Sequence, residues 1–142
     1  GWFTINGRDY QFGPSGYMMT GFLKRASGEW VYADSEAALV SGWVRDGGQW
    51  YFLDPATKVM ATGWLAQGGS WYYLTASGAM AIGWVEDGGT WYYLNASGRM
   101  ATGWVKDRGT WYYLAPSGAM LTGTQVINGR TYVFDESGAW QR

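Results

Sequence analysis

The chain has 142 residues, a formal charge of −1, and neither histidine nor cysteine. That excludes a disulfide framework, thiol chemistry and the usual histidine-based metal and general-base sites. With no block of Lys or Arg, it also argues against an electrostatic grip on nucleic acid or anionic lipid. Eleven Trp and eleven Tyr stand beside 23 Gly, so large aromatics carry the burial and Gly supplies frequent tight turns. No apolar run is long enough to cross a membrane, and no signal segment is present. The pattern is already under way at Gly1-Trp2, as expected of a piece cut from a longer secreted protein.

A repeat organises the whole chain. Its starts fall at Gly1, Gly21, Gly42, Gly63, Gly83, Gly103 and Gly123, a spacing of twenty or twenty-one residues. One repeat domain over residues 1–142 is therefore divided as 1–20, 21–41, 42–62, 63–82, 83–102, 103–122 and 123–142. Each repeat reads as a β-hairpin followed by a connecting turn. A lone hairpin is marginal in water, so stability must come from stacking on neighbours. The expected fold is all-β, a solenoid of seven stacked hairpins with almost no helix.

In chain order, repeat one turns at Asn6-Gly7. That places Phe3, Ile5, Tyr10 and Phe12 on one face and Trp2, Thr4, Asp9 and Gln11 on the other. Repeats two and three lack the Ser-Gly pair of later repeats and run one residue longer, so their turns should differ. Repeat three sets Trp43, Trp50 and Phe52 on one face, and repeat four Trp64, Trp71 and Tyr73. Repeat five is the clearest: Gly88-Gly89 as the turn puts Trp84 opposite Tyr93 and Glu86 opposite Trp91. Val85, Tyr92 and Leu94 then point the other way. Repeat six follows with Trp104, Trp111 and Tyr113. Repeat seven turns at Asn128-Gly129, with Ile127, Tyr132 and Phe134 on one face and Thr124, Val126, Thr131 and Val133 on the other. The Val85/Tyr92/Leu94 type of face stays apolar throughout, whereas the two-Trp face is lost in the end repeats. The first is read as core, and the second as building sites between adjacent hairpins. Met60, Met80 and Met100 precede the next repeat and are placed to line such sites as adaptable apolar walls. The competing reading is that the aromatics are only the glue of the stack.

The runs GWVEDGGTWYYLNASGRMATGW, GWLAQGGSWYYLTASGAMAIGW and GWVKDRGTWYYLAPSGAMLTGT closely resemble the choline-binding repeats of bacterial and phage cell-wall proteins. The likeness is good over repeats three to six and loose over repeat two. In repeats one and seven it is confined to the hairpin and Ser-Gly parts. It implies a left-handed superhelix in which choline is held by two aromatics of one hairpin and one of the next, beside a Met. Carried onto this sequence, the sites are Trp43, Trp50 and Tyr73 with Met60; Trp64, Trp71 and Tyr93 with Met80; and Trp84, Trp91 and Tyr113 with Met100. Phe22, Trp30 and Phe52 suggest a fourth, with the longer hairpin of repeat two against it. Trp104 and Trp111 would meet Val133 and form an incomplete site, and Trp2 with Asp9 none of the standard kind. The implied partner is choline-bearing teichoic acid, and the implied place is outside the cell, on the wall. No cofactor or metal is implied.

The alternative partner is a cell-surface glycan or glucan, since similar repeats occur in glucan-binding glucosyltransferases and clostridial toxins. A sugar would need hydrogen bonds, for which Arg45, Asp46, Gln67, Glu86, Asp87, Lys106 and Asp107 are candidates, although polar turns are the norm. A structural spacer or a homodimerising stalk is a third reading. An enzyme is disfavoured: the eleven carboxylates mostly recur at turns, without a convincing acid/base pair, nucleophile or phosphate loop. Any catalysis would belong to an attached domain.

Overall fold

The structure is a computed structural model. It describes residues 20–25 and 27–142 in full, and the backbone of strands Trp2–Ile5 and Arg8–Gln11. The expected turn at Asn6-Gly7 and the side-chain faces of repeat one lie outside the described residues.

The described residues contain strands and no helix. Repeat one contributes β1 (Trp2–Ile5) and β2 (Arg8–Gln11), repeat two β3 (Gly21–Lys24) and β4 (Trp30–Ala33), repeat three β5 (Gly42–Asp46) and β6 (Gln49–Leu53). Repeat four gives β7 (Gly63–Gln67) and β8 (Ser70–Leu74), repeat five β9 (Gly83–Asp87) and β10 (Thr90–Leu94), repeat six β11 (Gly103–Asp107) and β12 (Thr110–Leu114). Repeat seven adds β13 (Gly123–Ile127), β14 (Arg130–Phe134) and a short third strand, β15 (Trp140–Gln141). Every sheet is a sequence-local hairpin, extended to three strands only by β15. The chain forms two compact units, Gly1–Leu65 with Leu74–Met80, and Ala66–Tyr73 with Ala81–Arg142.

The register is the one that the turn residues dictate. Gly88 and Gly89 have φ of 58° and 84°, the pair of positive values that a type I′ hairpin turn requires. Trp84 therefore pairs with Tyr93, and Glu86 with Trp91. Arg108-Gly109 and Asn128-Gly129 turn in the same way. Repeat two departs as expected. Its hairpin closes through a wider loop, in which the Arg25 amide donates to the Glu29 carbonyl at 2.7 Å. Repeat three carries its extra residue in the second turn, where the Lys58 amide reaches back to the Asp54 carbonyl at 2.6 Å. Later second turns are shorter, with the Gly78 amide donating to the Thr75 carbonyl at 2.8 Å.

Side-chain carboxylates and amides brace these second turns. Asp34, Asp54, Asn95 and Asp135 each accept backbone N–H groups two to four residues ahead. The Ser137 hydroxyl and the Ala139 amide hold the Asp135 carboxyl below the usual carboxylate range.

From repeat three onward each hairpin buries the residue that ends its second strand. Leu53, Leu74, Leu94 and Leu114 end their hairpins at 0% exposure, and Phe134 continues the series at 2%. In the first unit Leu23, Val31, Ala33 and Leu39 form a buried cluster. The other face of repeat seven is open, with Val126 70% exposed. Leu94→Ala should therefore lower ligand-free stability by about 2–5 kcal/mol, while Val126→Thr should stay within about 0.5 kcal/mol of the parent. Urea denaturation checks this, and equal losses in the two variants would refute the buried strand-end residues as the core.

Candidate functional site

Among the described residues each compact unit holds an apolar pocket, and the two are of matching construction. The first, of about 310 Å³, is lined by Phe22, Trp30, Tyr51, Met60, Ala76 and Ser77. The second, of about 300 Å³, is lined by Trp84, Trp91, Tyr112, Met120, Glu136 and Ser137. Each draws two aromatics from one hairpin, a Tyr and a Met from the next repeat, and the second turn of the repeat after that.

The geometry follows from strand alternation. Trp84 and Trp91 sit on adjacent strands two register steps apart, and so share a face. The next hairpin presents its opposite face to them. Tyr112 meets Trp84 edge-on with centroids 4.8 Å apart, and Tyr51 meets Phe22 at 4.6 Å. Backbone hydrogen bonds then fix the Met. The Met120 amide donates to the Trp91 carbonyl at 2.8 Å, and the Met60 amide to the Trp30 carbonyl at 2.8 Å. Each thioether lies against the second-turn glycine of the following repeat, where a β-carbon on Gly138 or Gly78 would overlap Met120 or Met60. In the second pocket the Trp84 indole N–H also donates to an Asp107 carboxylate oxygen at 3.0 Å.

Two groupings expected from the sequence are corrected. The third ring beside Trp84 and Trp91 is Tyr112, not Tyr113, and beside Phe22 and Trp30 it is Tyr51, not Phe52. Hairpins stack front to back, so the neighbour of a two-Trp face is the face that had been read as core. Tyr113 shares the face of Trp104 and packs edge-on against it at 5.1 Å. Tyr93 does the same with Trp84 at 4.9 Å, and Phe52 with Trp43 at 5.1 Å. The face divides its labour: its Leu is core, while its Tyr lines the pocket.

The methionines likewise serve the preceding repeat rather than their own. Met60 joins Trp30, Met80 donates its amide to the Trp50 carbonyl, and Met100 to that of Trp71, both at 2.7 Å. Trp50 and Trp71 are exposed on their hairpins, Trp71 at 48%. Trp43, Trp64 and Tyr73 are half-buried, and the Tyr73 carbonyl accepts the Ala81 amide at 2.8 Å. Near the C-terminus Trp104, 6.2 Å from Trp111, meets Tyr132 at 4.9 Å rather than Val133, which lies on the open face. Trp140 stands twenty residues after Met120, in the Met place, with its ring 5.9 Å from Trp104. Tyr51, Tyr112, Met120, Glu136 and the turn serines were missed as site residues. The Ser-Gly pairs carried a signal, but one read only as a turn.

The model of the choline-binding repeat matches residues 40–83 and 81–124. The chain belongs to the choline-binding repeat family. Among solved structures it is similar to CbpJ of Streptococcus pneumoniae, with 43% identity over 99% of this chain and 48% of that one, at a TM-score of 0.87. Choline binding protein F of Streptococcus pneumoniae is 41% identical over 100% of this chain and 47% of that one, also at 0.87. The pneumococcal cell wall endolysin of phage Cp-1, solved complexed with choline, is 31% identical over 85% of this chain and 36% of that one, at 0.57. No curated protein sequence matches the chain. The chain spans about half the length or less of these solved proteins. As in the family, its repeats are all-β hairpins with clustered aromatics.

In these choline-binding repeats the second-turn glycine has a specific duty. Gly138 has φ of +85° and leaves room for the Met120 thioether. Gly138→Ala should cost about 1 kcal/mol or more through backbone strain and push the thioether out of the pocket wall. A lowered melting temperature with a displaced Met120 methyl resonance is the expected result. An unmoved methyl signal would break the link between turn and wall.

Proposed function

We propose that this chain is a non-catalytic anchoring module that binds the choline of cell-wall teichoic acids in aromatic cages. The observation that carries the reading is the pocket of Trp84, Trp91, Tyr112 and Met120, repeated in kind by Phe22, Trp30, Tyr51 and Met60. A quaternary ammonium carries full positive charge and no N–H. Aromatic faces and a polarisable thioether are therefore a sufficient site, each well-placed ring contributing roughly 0.5–2 kcal/mol. A glycan would need several convergent hydrogen-bond partners, whereas these walls offer, besides the phenol and indole groups of the rings themselves, one turn serine each and, in the second pocket, one carboxylate. The relatives support the choice, since one bears choline binding in its name and another was solved with choline bound.

Within this reading Trp43 and Trp50 supply the aromatic pair of a further cage. Single cages are weak, of millimolar order, and gain by avidity on a polymer carrying many cholines. The setting is the cell surface, with any catalytic activity residing in a separate domain.

Choline should raise the melting temperature saturably, because each cage draws on three repeats and exists only in the stacked state. The neutral tert-butyl analogue, 3,3-dimethylbutanol, should do so far less. A melting temperature that rises only with maltose- or dextran-type sugars would overturn choline in favour of a glycan.

A further inference from the structure

The two pockets match in volume and framework but not in charge. In the first, Lys24 lies directly across the hairpin from Trp30, its ammonium 5.9 Å from the ring centroid. The ring that should receive a ligand's cation already has one beside it. In the second, the residue across from Trp91 is Glu86. The turn residue is Ala76 in the first pocket and Glu136 in the second. The leading aromatic is Phe22 in one and Trp84 in the other, and the Trp84 indole donates to Asp107. That bond pushes electron density into the indole and strengthens the negative face on which cation–π attraction depends. In the following hairpin the charged register positions are alike, Asp46 corresponding to Asp107 and Arg45 to Lys106. One place beyond Lys24 and Glu86, the first hairpin has Arg25, ion-paired with Glu29 at 3.8 Å, and the second has Asp87. The charge differences are Lys to Glu across the hairpin, Ala to Glu at the turn and, one residue farther along the strand, Arg25 to Asp87, all in the same direction.

We infer that the pocket at Trp84 and Trp91 is the stronger, charge-selective quaternary-ammonium site, and that Lys24 holds the pocket at Phe22 and Trp30 to weaker cation binding. The inference rests on the choline reading and ranks the sites within it. Each charge difference acts across open, water-like surroundings, so each is modest, and together they amount to about tenfold in affinity at low salt. Salt of about 1 M shortens the screening length to roughly 3 Å and should remove most of that advantage.

The test is a choline titration of the full chain labelled with 15N at its indoles, following the Trp30 and Trp91 N–H resonances separately. At low ionic strength Trp91 should saturate at about tenfold lower choline than Trp30, and the gap should narrow in 1 M NaCl. With 3,3-dimethylbutanol the gap should vanish. Lys24→Glu with Ala76→Glu should raise the affinity read at Trp30 towards that of Trp91, and Glu86→Lys with Glu136→Ala should lower that read at Trp91 towards that of Trp30. All four residues are exposed, so these variants should fold. Saturation of both indoles at the same choline concentration would overturn the ranking and leave the choline reading standing. So would a gap that ignores salt and the exchanges. If choline moves neither indole, the ranking and the choline reading both fall.

Discussion

A backbone hydrogen bond ties each of repeats three to six to the one before it. The amide of the Met that closes a repeat donates to the carbonyl of the second Trp of the preceding repeat. The bond recurs as Met60 to Trp30, Met80 to Trp50, Met100 to Trp71 and Met120 to Trp91, always at 2.7–2.8 Å. A two-stranded hairpin has two unpaired edges and too little buried area to stand alone. This bond satisfies part of an edge and fixes the offset of one hairpin on the next. With the offset fixed, the Leu at the end of the hairpin is buried and the Met thioether is delivered beside the two aromatics. The following turn must then be small where it meets the sulfur, which is why glycine stands at Gly78, Gly118 and Gly138.

Stability and recognition are assigned to different side chains of the same short strand. Leu94 is fully buried, whereas Trp91, three residues earlier, is 40% exposed. Burying an indole completely would gain more from the hydrophobic effect, so leaving it partly open sacrifices stability for an accessible π face. Its backbone carbonyl meanwhile belongs to the stack. On the proposed reading the residue offers its ring to a ligand and its main chain to the fold, two roles that substitution can separate.

Much of this was legible in the sequence, and the part that was not has a definite cause. Gly88-Gly89 and Asn128-Gly129 dictate positive φ at the turn, the turn dictates register, and register dictates which side chains share a face. Trp84, Trp91 and Tyr93 were placed together for that reason, and they are together. Alternation within a hairpin does not say which face the next hairpin presents. A front-to-front stack would have brought Tyr113 to Trp84. The front-to-back stack brings Tyr112 instead, and by the same displacement puts Tyr132 rather than Val133 against Trp104. Nor does pairwise thinking reach the third repeat, so Glu136 and Ser137 could be named as a turn but not as a wall. Met120 was overlooked because each Met had been assigned to its own repeat, whereas the amide bond carries it one repeat back.

Because a pocket takes groups from three successive repeats, ligand and fold are linked. An isolated hairpin holds two aromatics and no cage, and a pair of hairpins lacks the turn that closes the wall. Binding energy therefore favours the state in which neighbouring repeats are docked, and each occupied pocket reinforces the joints on both sides of its Tyr and Met. In an array of locally paired hairpins, with no strand among the described residues reaching across distant repeats, such joints are the places where the structure can open. A polymer that fills several pockets at once would brace several joints together. Recognition of a repeating ligand and cohesion of a repeating protein then draw on the same contacts.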